Sequence, residues 1–208
     1  MQSTPPLPDW IRRAHVTGYV SAHDLCPEET KLYGTEDLYG DWNGSVLLLA
    51  KDWGPSRILF DRILLGDEQP YRHDPDMKTN VRLRQLADPF RECGLLYGSA
   101  LGNLLRDDGD VSGRLPNRAE AMSYGVEVTR FTIQRMPSLR RIVCLGQEAW
   151  ECASRASRVQ GDWQEHRDEG KPLGRLIAAF HPSARVANDR MQGAWDLLAR
   201  SLEVPAPS

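Results

Sequence analysis

An imidazole and a carboxylate each follow a strongly apolar segment of this chain. Asp52 comes shortly after residues 46–50, and His181 comes directly after residues 176–180. A positioned carboxylate can orient or activate a water molecule, and an imidazole can donate a hydrogen bond to an oxygen that gains negative charge. Together the two groups suit the hydrolysis of a bond whose breaking leaves a cation-like fragment and an anion.

Four short apolar segments are predicted to be buried strands that position these groups. They cover residues 46–50, 95–100, 142–145 and 176–180. Their apolar residues run without alternation, which is typical of parallel strands that are covered on both faces. Helical patterns fill the intervals, so the sequence predicts an α/β protein, a three-layer α/β/α sandwich. Ligands of such sheets bind beyond the carboxyl ends of the strands, where Asp52 and His181 are expected.

Local signals predict where two of the helices begin. Ser56 is expected to cap a helix over residues 57–65. Asn117 is expected to cap a second helix that ends at Pro137, and Glu120 three residues later completes a capping-box pattern.

Composition indicates an ordinary globular protein. The chain has 208 residues, of which 40% are hydrophobic and 26% are charged. We expect a single domain in which residues 46–204 form the core and residues 1–45 a helical or loop extension packed on it. No apolar run is long enough for a membrane span, and residues 1–10 contain no signal-peptide core, so we expect a cytoplasmic protein without a membrane partner. Nothing in the sequence requires more than a monomer.

The charge balance argues against a generally basic nucleic-acid-binding chain. The net charge is −3 and the isoelectric point is about 6.0. Arginines nevertheless cluster locally, and we expect most of these clusters to be solvated helix faces, although some could meet phosphates. The clusters are Arg130, Arg135, Arg140 and Arg141; Arg155 and Arg158; and Arg185 and Arg190.

Three polar elements after strands resemble the uracil-DNA glycosylase superfamily in their order and spacing. They are residues 51–54 after the first strand, residues 145–149 at the end of the third, and residues 181–183 after the fourth. The resemblance covers residues 46–202. It implies a central four-stranded parallel sheet and monofunctional hydrolysis of the N-glycosidic bond of uracil that is flipped out of DNA. The implied partner is DNA that contains uracil or another damaged base.

The resemblance also implies roles for single residues. Asp52 would orient or activate the attacking water, and His181 would hydrogen-bond the base carbonyl oxygen that gains charge. Ser183 would contact the DNA backbone, and Arg185 would enter the gap left by the extruded nucleotide. Gly54 matches branches that have glycine where others use a tyrosine to exclude the methyl group of thymine.

The residues that would bind the base depart in part from the family pattern. The second strand usually ends in an asparagine that reads the base edge, whereas this chain has Ser99 there and Asn103 shortly after. If neither reads the base, other deaminated bases become substrates as well. The base-binding candidates are Lys51, Trp53, Gly54, Tyr71, Ser99 and Asn103.

Three further choices stay open among these candidates. Tyr71 follows Pro70 and resembles the aromatic residue that stacks on the base, while Trp53 and Phe60 compete for this role. For Phe60 we favour a place in the core. Lys51 invites a Schiff-base role, but a lysine here is more often solvated or salt-bridged.

No metal or other cofactor is predicted. Branches of the family with an iron–sulfur cluster have a close pair of cysteines near the N-terminus, where this chain has Cys26 alone. No spacing of histidine, cysteine and aspartate residues resembles a zinc site.

The site residues also have structural interpretations, and the function has alternatives. Asp52 could cap the following helix or form a turn, His181 could be structural, and Arg185 could be an ordinary exposed arginine. A non-catalytic protein that binds uracil or abasic sites, or a hydrolase of free nucleosides, would use the same crevice. All of these site assignments require that Asp52 and His181 face one cavity, which we expect to be sized for a single pyrimidine.

Overall fold

The computed structural model describes residues 6–26, 38–70, 74, 76–107 and 114–203. Its strands are β1 (Tyr19–Ser21), β2 (Val46–Ala50), β3 (Leu95–Ser99), β4 (Leu104–Arg106), β5 (Arg141–Leu145) and β6 (Leu176–Ala179). Its α-helices are α1 (Asp9–Arg12), α2 (Ala22–Leu25), α3 (Ser56–Leu64), α4 (Lys78–Ala87), α5 (Arg118–Arg135), α6 (Gln147–Ala156), α7 (Trp163–Glu169) and α8 (Asn188–Glu203), and a 3₁₀ helix spans Asp88–Cys93.

A four-stranded parallel sheet forms the centre of the molecule, in the order β3-β2-β5-β6. The predicted α/β fold is therefore confirmed. β3, the next strand along the chain, lies on one side of β2. The chain then crosses over, and β5 lies on the other side of β2. This change of direction creates a topological switch point between the carboxyl ends of β2 and β5, where open α/β sheets form their ligand crevice.

Both faces of the sheet are covered by helices, which explains why its strands are mostly apolar without alternation. Every residue of β2 is fully buried. Leu47 and Leu49 pack in a core cluster with α5 and α6, whereas Leu48 packs on the opposite face with Leu83 of α4 and Trp195 of α8. Side chains of one strand thus alternate between two apolar layers instead of between core and solvent. Within the described residues, no helix has the length and apolarity that crossing a bilayer requires.

Both predicted helix caps are wrong in detail. Ser56 is the first residue of α3, and Pro55 occupies the N-cap position without a side-chain hydrogen bond. Asn117 does precede α5, but it has a left-handed backbone with φ 37°. Its amide group donates to the Glu120 carboxylate, and no backbone N–H of the helix bonds to its side chain.

Two of the clustered arginines, Arg140 and Arg141, bind the end of a helix, whereas most of the clusters were expected to be solvated helix faces. Arg140 donates to the backbone oxygen of Leu202 at 3.1 Å, and Arg141 donates to that of Ser201 at 2.9 Å. Carbonyl groups of the last helical turn have no partner within their own helix. Both arginines therefore stabilise the carboxyl end of α8.

Two strands that the sequence did not predict form a ribbon beside the main sheet. β1 pairs with β4 in antiparallel orientation, and Tyr19 lies opposite Arg106. Val16 and Tyr19 pack with Leu101 and Leu104 in a small core cluster of their own. The ribbon attaches residues 6–26 to the region that follows β3, and it brings Arg106 to the carboxyl edge of the sheet.

Candidate functional site

A cavity of about 1440 Å³ opens at the carboxyl edge of the sheet, over the switch point between β2 and β5. Its lining includes residues 51–54 after β2, Gly146 and Glu148 after β5, and His181 after β6. Asp52 and His181 therefore face the same cavity. Its volume exceeds the roughly 300–1,000 Å³ of pockets for drug-sized ligands. The expectation of a cavity sized for one pyrimidine is therefore wrong.

The strand order sets the separation of the two groups. β5 lies between β2 and β6, so Asp52 and His181 follow strands that are two strand spacings, about 10 Å, apart. Gly146 ends the middle strand with φ 108°, and a side chain there would meet no atom within 4 Å. The floor of the cavity at Gly146 is thus open, and a ligand there can contact both Asp52 and His181.

The Asp52 carboxylate is held by contacts to both of its oxygen atoms. Oδ1 accepts a hydrogen bond from the backbone N–H of Gly54 at 2.9 Å, which closes a tight turn. Oδ2 lies 3.4 Å from Nε of Arg106 and 3.7 Å from Nζ of Lys51, and the side chain is only 5% exposed. Asp52 therefore forms a turn without capping α3, and two cations stabilise its charge.

Arg106 is a site residue that sequence analysis missed. Its side chain is 8% exposed and lines the cavity. Its backbone N–H donates to the oxygen of Gly54 at 3.1 Å, so β4 is tied to the same turn that carries Asp52. The available signal was an arginine at the end of the short apolar run 104–105, which was too short to predict as a strand.

The His181 ring is neutral, and one of its nitrogen atoms is already occupied. The backbone N–H of Ser183 donates to Nδ1 at 3.2 Å, and the Ser183 hydroxyl lies 2.7 Å from the same atom. Burial lowers the pKa of His181 to about 4; Asp52 acts in the opposite direction and Lys51 lowers the pKa further. Since Nδ1 accepts, the proton of the neutral ring is on Nε2.

A second missed residue, Arg82 of α4, holds the loop after β6. Its guanidinium donates to the backbone oxygens of Pro182 at 3.3 Å, Ala184 at 3.1 Å and Val186 at 3.4 Å. It also donates to Oδ1 of Asn188 at 2.9 Å. One side chain therefore fixes most of the segment that carries His181, Ser183 and Arg185.

The two residues predicted to read the base edge lie outside the cavity lining. Ser99 is 2% exposed, and its hydroxyl donates to the oxygen of Lys51 at 3.3 Å and accepts from the N–H of Leu101 at 3.1 Å. Asn103 is equally buried, and its backbone oxygen accepts from the N–H of Ala22 at 2.8 Å. Both residues support the backbone behind the site.

Of the three aromatic candidates for stacking, Trp53 lines the cavity. It packs edge-on against Tyr97, another lining residue, with ring centroids 5.1 Å apart. The core role expected for Phe60 is wrong, because α3 turns Leu59 inward and leaves Phe60 48% exposed. Tyr71 lies outside the described residues.

The other predicted site residues are divided between the cavity and its rim. Lys51 lines the cavity as an ion-pair partner, which matches the favoured interpretation of this lysine. Gly54 also lines it with φ 103°, and a side chain there would meet no atom within 4 Å. Ser183 lines the cavity next to His181, and Arg185 is exposed.

The arrangement offers a carboxylate and a neutral N–H donor on opposite sides of an open floor. Such a pair can stabilise separating positive and negative charges without a metal ion. Within the described residues, no group of three or more histidine, cysteine, aspartate or glutamate side chains is placed to hold a metal.

Neither known family models nor curated proteins match this sequence.

Proposed function

We propose that this chain is a monofunctional DNA base-excision glycosylase that acts as a monomer on uracil flipped out of DNA. The observation that carries the proposal is that Asp52 and His181 line one cavity at the switch point of the sheet, with Nδ1 of His181 engaged so that the neutral ring carries its proton on Nε2. The base would lie towards β6 and its sugar towards β2.

On the base side, the bond between C1′ and N1 breaks and its electron pair moves into the ring of uracil. Negative charge then grows on a carbonyl oxygen. The Nε2–H of His181 donates a hydrogen bond to that oxygen and keeps its proton, since the ring is neutral and its Nδ1 is held by Ser183.

On the sugar side, C1′ develops positive charge and is attacked by water. The Asp52 carboxylate stabilises this charge and orients the water, while Lys51 and Arg106 hold the carboxylate in place. The water oxygen bonds to C1′, its proton passes to the departing base through solvent, and the products are free uracil and an abasic site.

Binding to DNA would depend on local basic groups, because the whole chain carries a net charge of −3. Arg185 is exposed on the loop that bears His181, so it is placed to meet the strand next to a flipped nucleotide. We expect modest affinity that falls steeply with added salt.

The test is release of uracil from single-stranded and double-stranded oligonucleotides in the presence of EDTA, read as alkali-revealed nicking. Asp52→Asn and His181→Ala should each lower the rate by about 10²–10³-fold, the usual effect of removing a group that stabilises transition-state charge. Asp61→Asn on exposed α3 and exposed His15→Ala are the matched controls. Full activity of both site variants contradicts their roles, and no release by the wild type contradicts the function.

A non-catalytic protein that binds damaged DNA is the second candidate. It is favoured by two observations: two cations hold Oδ2 of Asp52, and Ser99 and Asn103 lie outside the cavity lining. Tight binding to uracil-containing or abasic DNA without any alkali-labile product would select this alternative.

A further inference from the structure

Glu148 occupies the position between the two groups of the proposed mechanism. It lies on the first turn of α6, directly beyond β5, and it is one of the residues that line the cavity. β5 pairs with β2 on one side and with β6 on the other. Glu148 therefore follows the middle one of the three strands, with Asp52 and His181 beyond its neighbours.

The two glutamates of α6 differ in their partners. Glu151, three residues later, is paired with Arg118 and lies 3.8 Å from Arg155. Within the described residues, the Glu148 carboxylate forms no hydrogen bond or ion pair. It is therefore available to a ligand in the cavity.

The charges around the cavity tolerate a second carboxylate. Lys51 and Arg106 both lie beside the single charge of Asp52. Burial raises the pKa of the Tyr19 hydroxyl, and Asp52 and Glu148 each raise it further, so both carboxylates lie near this one group. Glu148 also raises the pKa of Arg118, so a further cation lies near this carboxylate.

Deamination changes the ring nitrogen of a base in a way that a carboxylate can detect. N3 of cytosine is an acceptor, whereas N3 of uracil carries a hydrogen; N1 of adenine and of hypoxanthine differ in the same way. An ionised carboxylate only accepts hydrogen bonds. It therefore favours the deaminated base and is repelled by the lone pair of the parent base.

Other polar groups near the cavity are less suited to this task. Ser99 lies outside the lining, and its hydroxyl is engaged by the oxygen of Lys51 and the N–H of Leu101. Asn80 lines the cavity and its Nδ2 donates to the backbone oxygen of Asp74 at 2.8 Å, but an amide can donate as well as accept, so it does not reject the parent base as a carboxylate does.

We propose that Glu148 is the specificity-determining residue of this site and accepts the ring N–H that deamination creates. The proposal rests on the proposed function, because it takes the cavity to hold a flipped base. It replaces the asparagine expected after the second strand with a carboxylate after the third strand. It assigns bases with an imide or lactam N–H as the substrate class.

The experiment measures binding by fluorescence anisotropy, with oligonucleotides whose 2′-fluoro sugar resists hydrolysis. One carries uracil, a second carries 3-methyluracil, which lacks the N3–H, and a third carries cytosine. A hydrogen bond to a charged group is worth enough for the wild type to prefer uracil about 10- to 100-fold over the other two. The variants are Glu148→Ala and Glu148→Gln, with Glu151→Ala and Glu151→Gln as matched controls on the same helix.

Glu148→Ala should bring the preference for uracil to within about threefold of unity, and the Glu151 variants should keep it. Glu148→Gln should gain affinity for cytosine, since an amide can also donate to N3. A merely structural role would not produce this gain. If Glu148→Ala does not fold, the cytosine result of Glu148→Gln decides.

The same data separate this inference from the proposed function. A wild type that prefers uracil in binding but releases no base from cleavable DNA overturns the enzymatic function and supports Glu148 as the reader. A wild type that releases uracil while Glu148→Ala keeps its preference overturns Glu148 alone. If the wild type shows no preference for uracil in binding, the assignment of Glu148 as the residue that reads the base is overturned.

Discussion

His181 combines a half-buried ring with a hydrogen bond that selects its tautomer. Because the Ser183 N–H donates to Nδ1, the Nε2–H stays available as long as the ring is neutral. The pKa of about 4 lies well below physiological pH, so the ring is neutral there. A neutral donor suits a step in which negative charge grows on a base oxygen that must not take the proton from the ring.

The first prediction concerns the titration of His181. Its ring should stay neutral and protonated at Nε2 down to about pH 4, whereas an ordinary histidine titrates near 6.5. Nitrogen-15 NMR of the ring measures this, with His181→Ala to assign the signal. A midpoint at or above 6.5 contradicts the burial argument.

The same pKa has a consequence for stability. Between about pH 6.5 and 4 the unfolded chain binds a proton at this position that the folded chain does not bind. The contribution of His181 to stability is therefore fully present above pH 6.5 and is lost as the pH falls towards 4. Urea unfolding at several pH values should show a smaller decline over this interval for His181→Ala than for the wild type.

A further prediction concerns the buried pair of Arg106 and Asp52, whose side chains are only 8% and 5% exposed. Removing one partner of a buried ion pair leaves an uncompensated charge. Arg106→Met should lower the free energy of unfolding by about 3 kcal/mol, at the low end for such pairs because Lys51 remains beside Asp52. Adding Asp52→Asn should restore part of this loss in a urea double-mutant cycle, and additive losses would contradict the pairing.

At the scale of secondary-structure elements, the loop after β6 depends on a helix from the opposite part of the chain. Arg82 of α4 donates to four acceptors between residues 182 and 188. A planar guanidinium can serve this many acceptors at once, whereas the ammonium of lysine is a compact group with a different geometry. The position of His181 therefore depends on α4 as much as on β6.

We predict that Arg82→Lys weakens this loop without unfolding the sheet. Amides of residues 182–188 should exchange faster with deuterium, and uracil release should fall about 10-fold or more, because small displacements of a catalytic group cost much of its effect. Lys78→Ala, an exposed change on the same helix, is the control. Unchanged exchange in the loop would show that the four hydrogen bonds do not hold it.

The four strands of the parallel sheet could be predicted from sequence, whereas the β1–β4 ribbon and the supports of the site could not. Residues such as Leu47 and Leu48 face different apolar layers, so continuous apolarity identified a parallel strand directly. Arg82 and Arg106 gave no comparable pattern, since their roles depend on contacts with residues 100 and 54 positions away along the chain. The caps failed for a local reason, because backbone conformation at Pro55 and Asn117 decided where the helices begin.

For the whole molecule, the question is how a chain of net charge −3 would hold DNA. Arg185 is exposed on the His181 loop, and it could meet a phosphate or fill the gap of a flipped nucleotide. The two roles differ in their dependence on salt, because only a phosphate contact releases counterions.

We predict that Arg185→Ala weakens binding to uracil-containing DNA and changes the slope of log affinity against log salt. Loss of one phosphate contact should reduce the magnitude of the slope by about 0.7–0.9. A loss of affinity with an unchanged slope would instead identify a wedge. Arg130→Ala, whose side chain is paired with Glu127 on α5, is the control.

The order of the strands has a consequence for the synthesis of the chain on the ribosome. The turn with Asp52 and the arginine that steadies it are both made before residue 107, yet the imidazole arrives only at residue 181, after β5 has been inserted beside β2. For much of its synthesis, the growing chain would thus contain Asp52 and Arg106 but not yet His181. Under the proposed function, it would be unable to release a base until β6 completes the edge of the sheet.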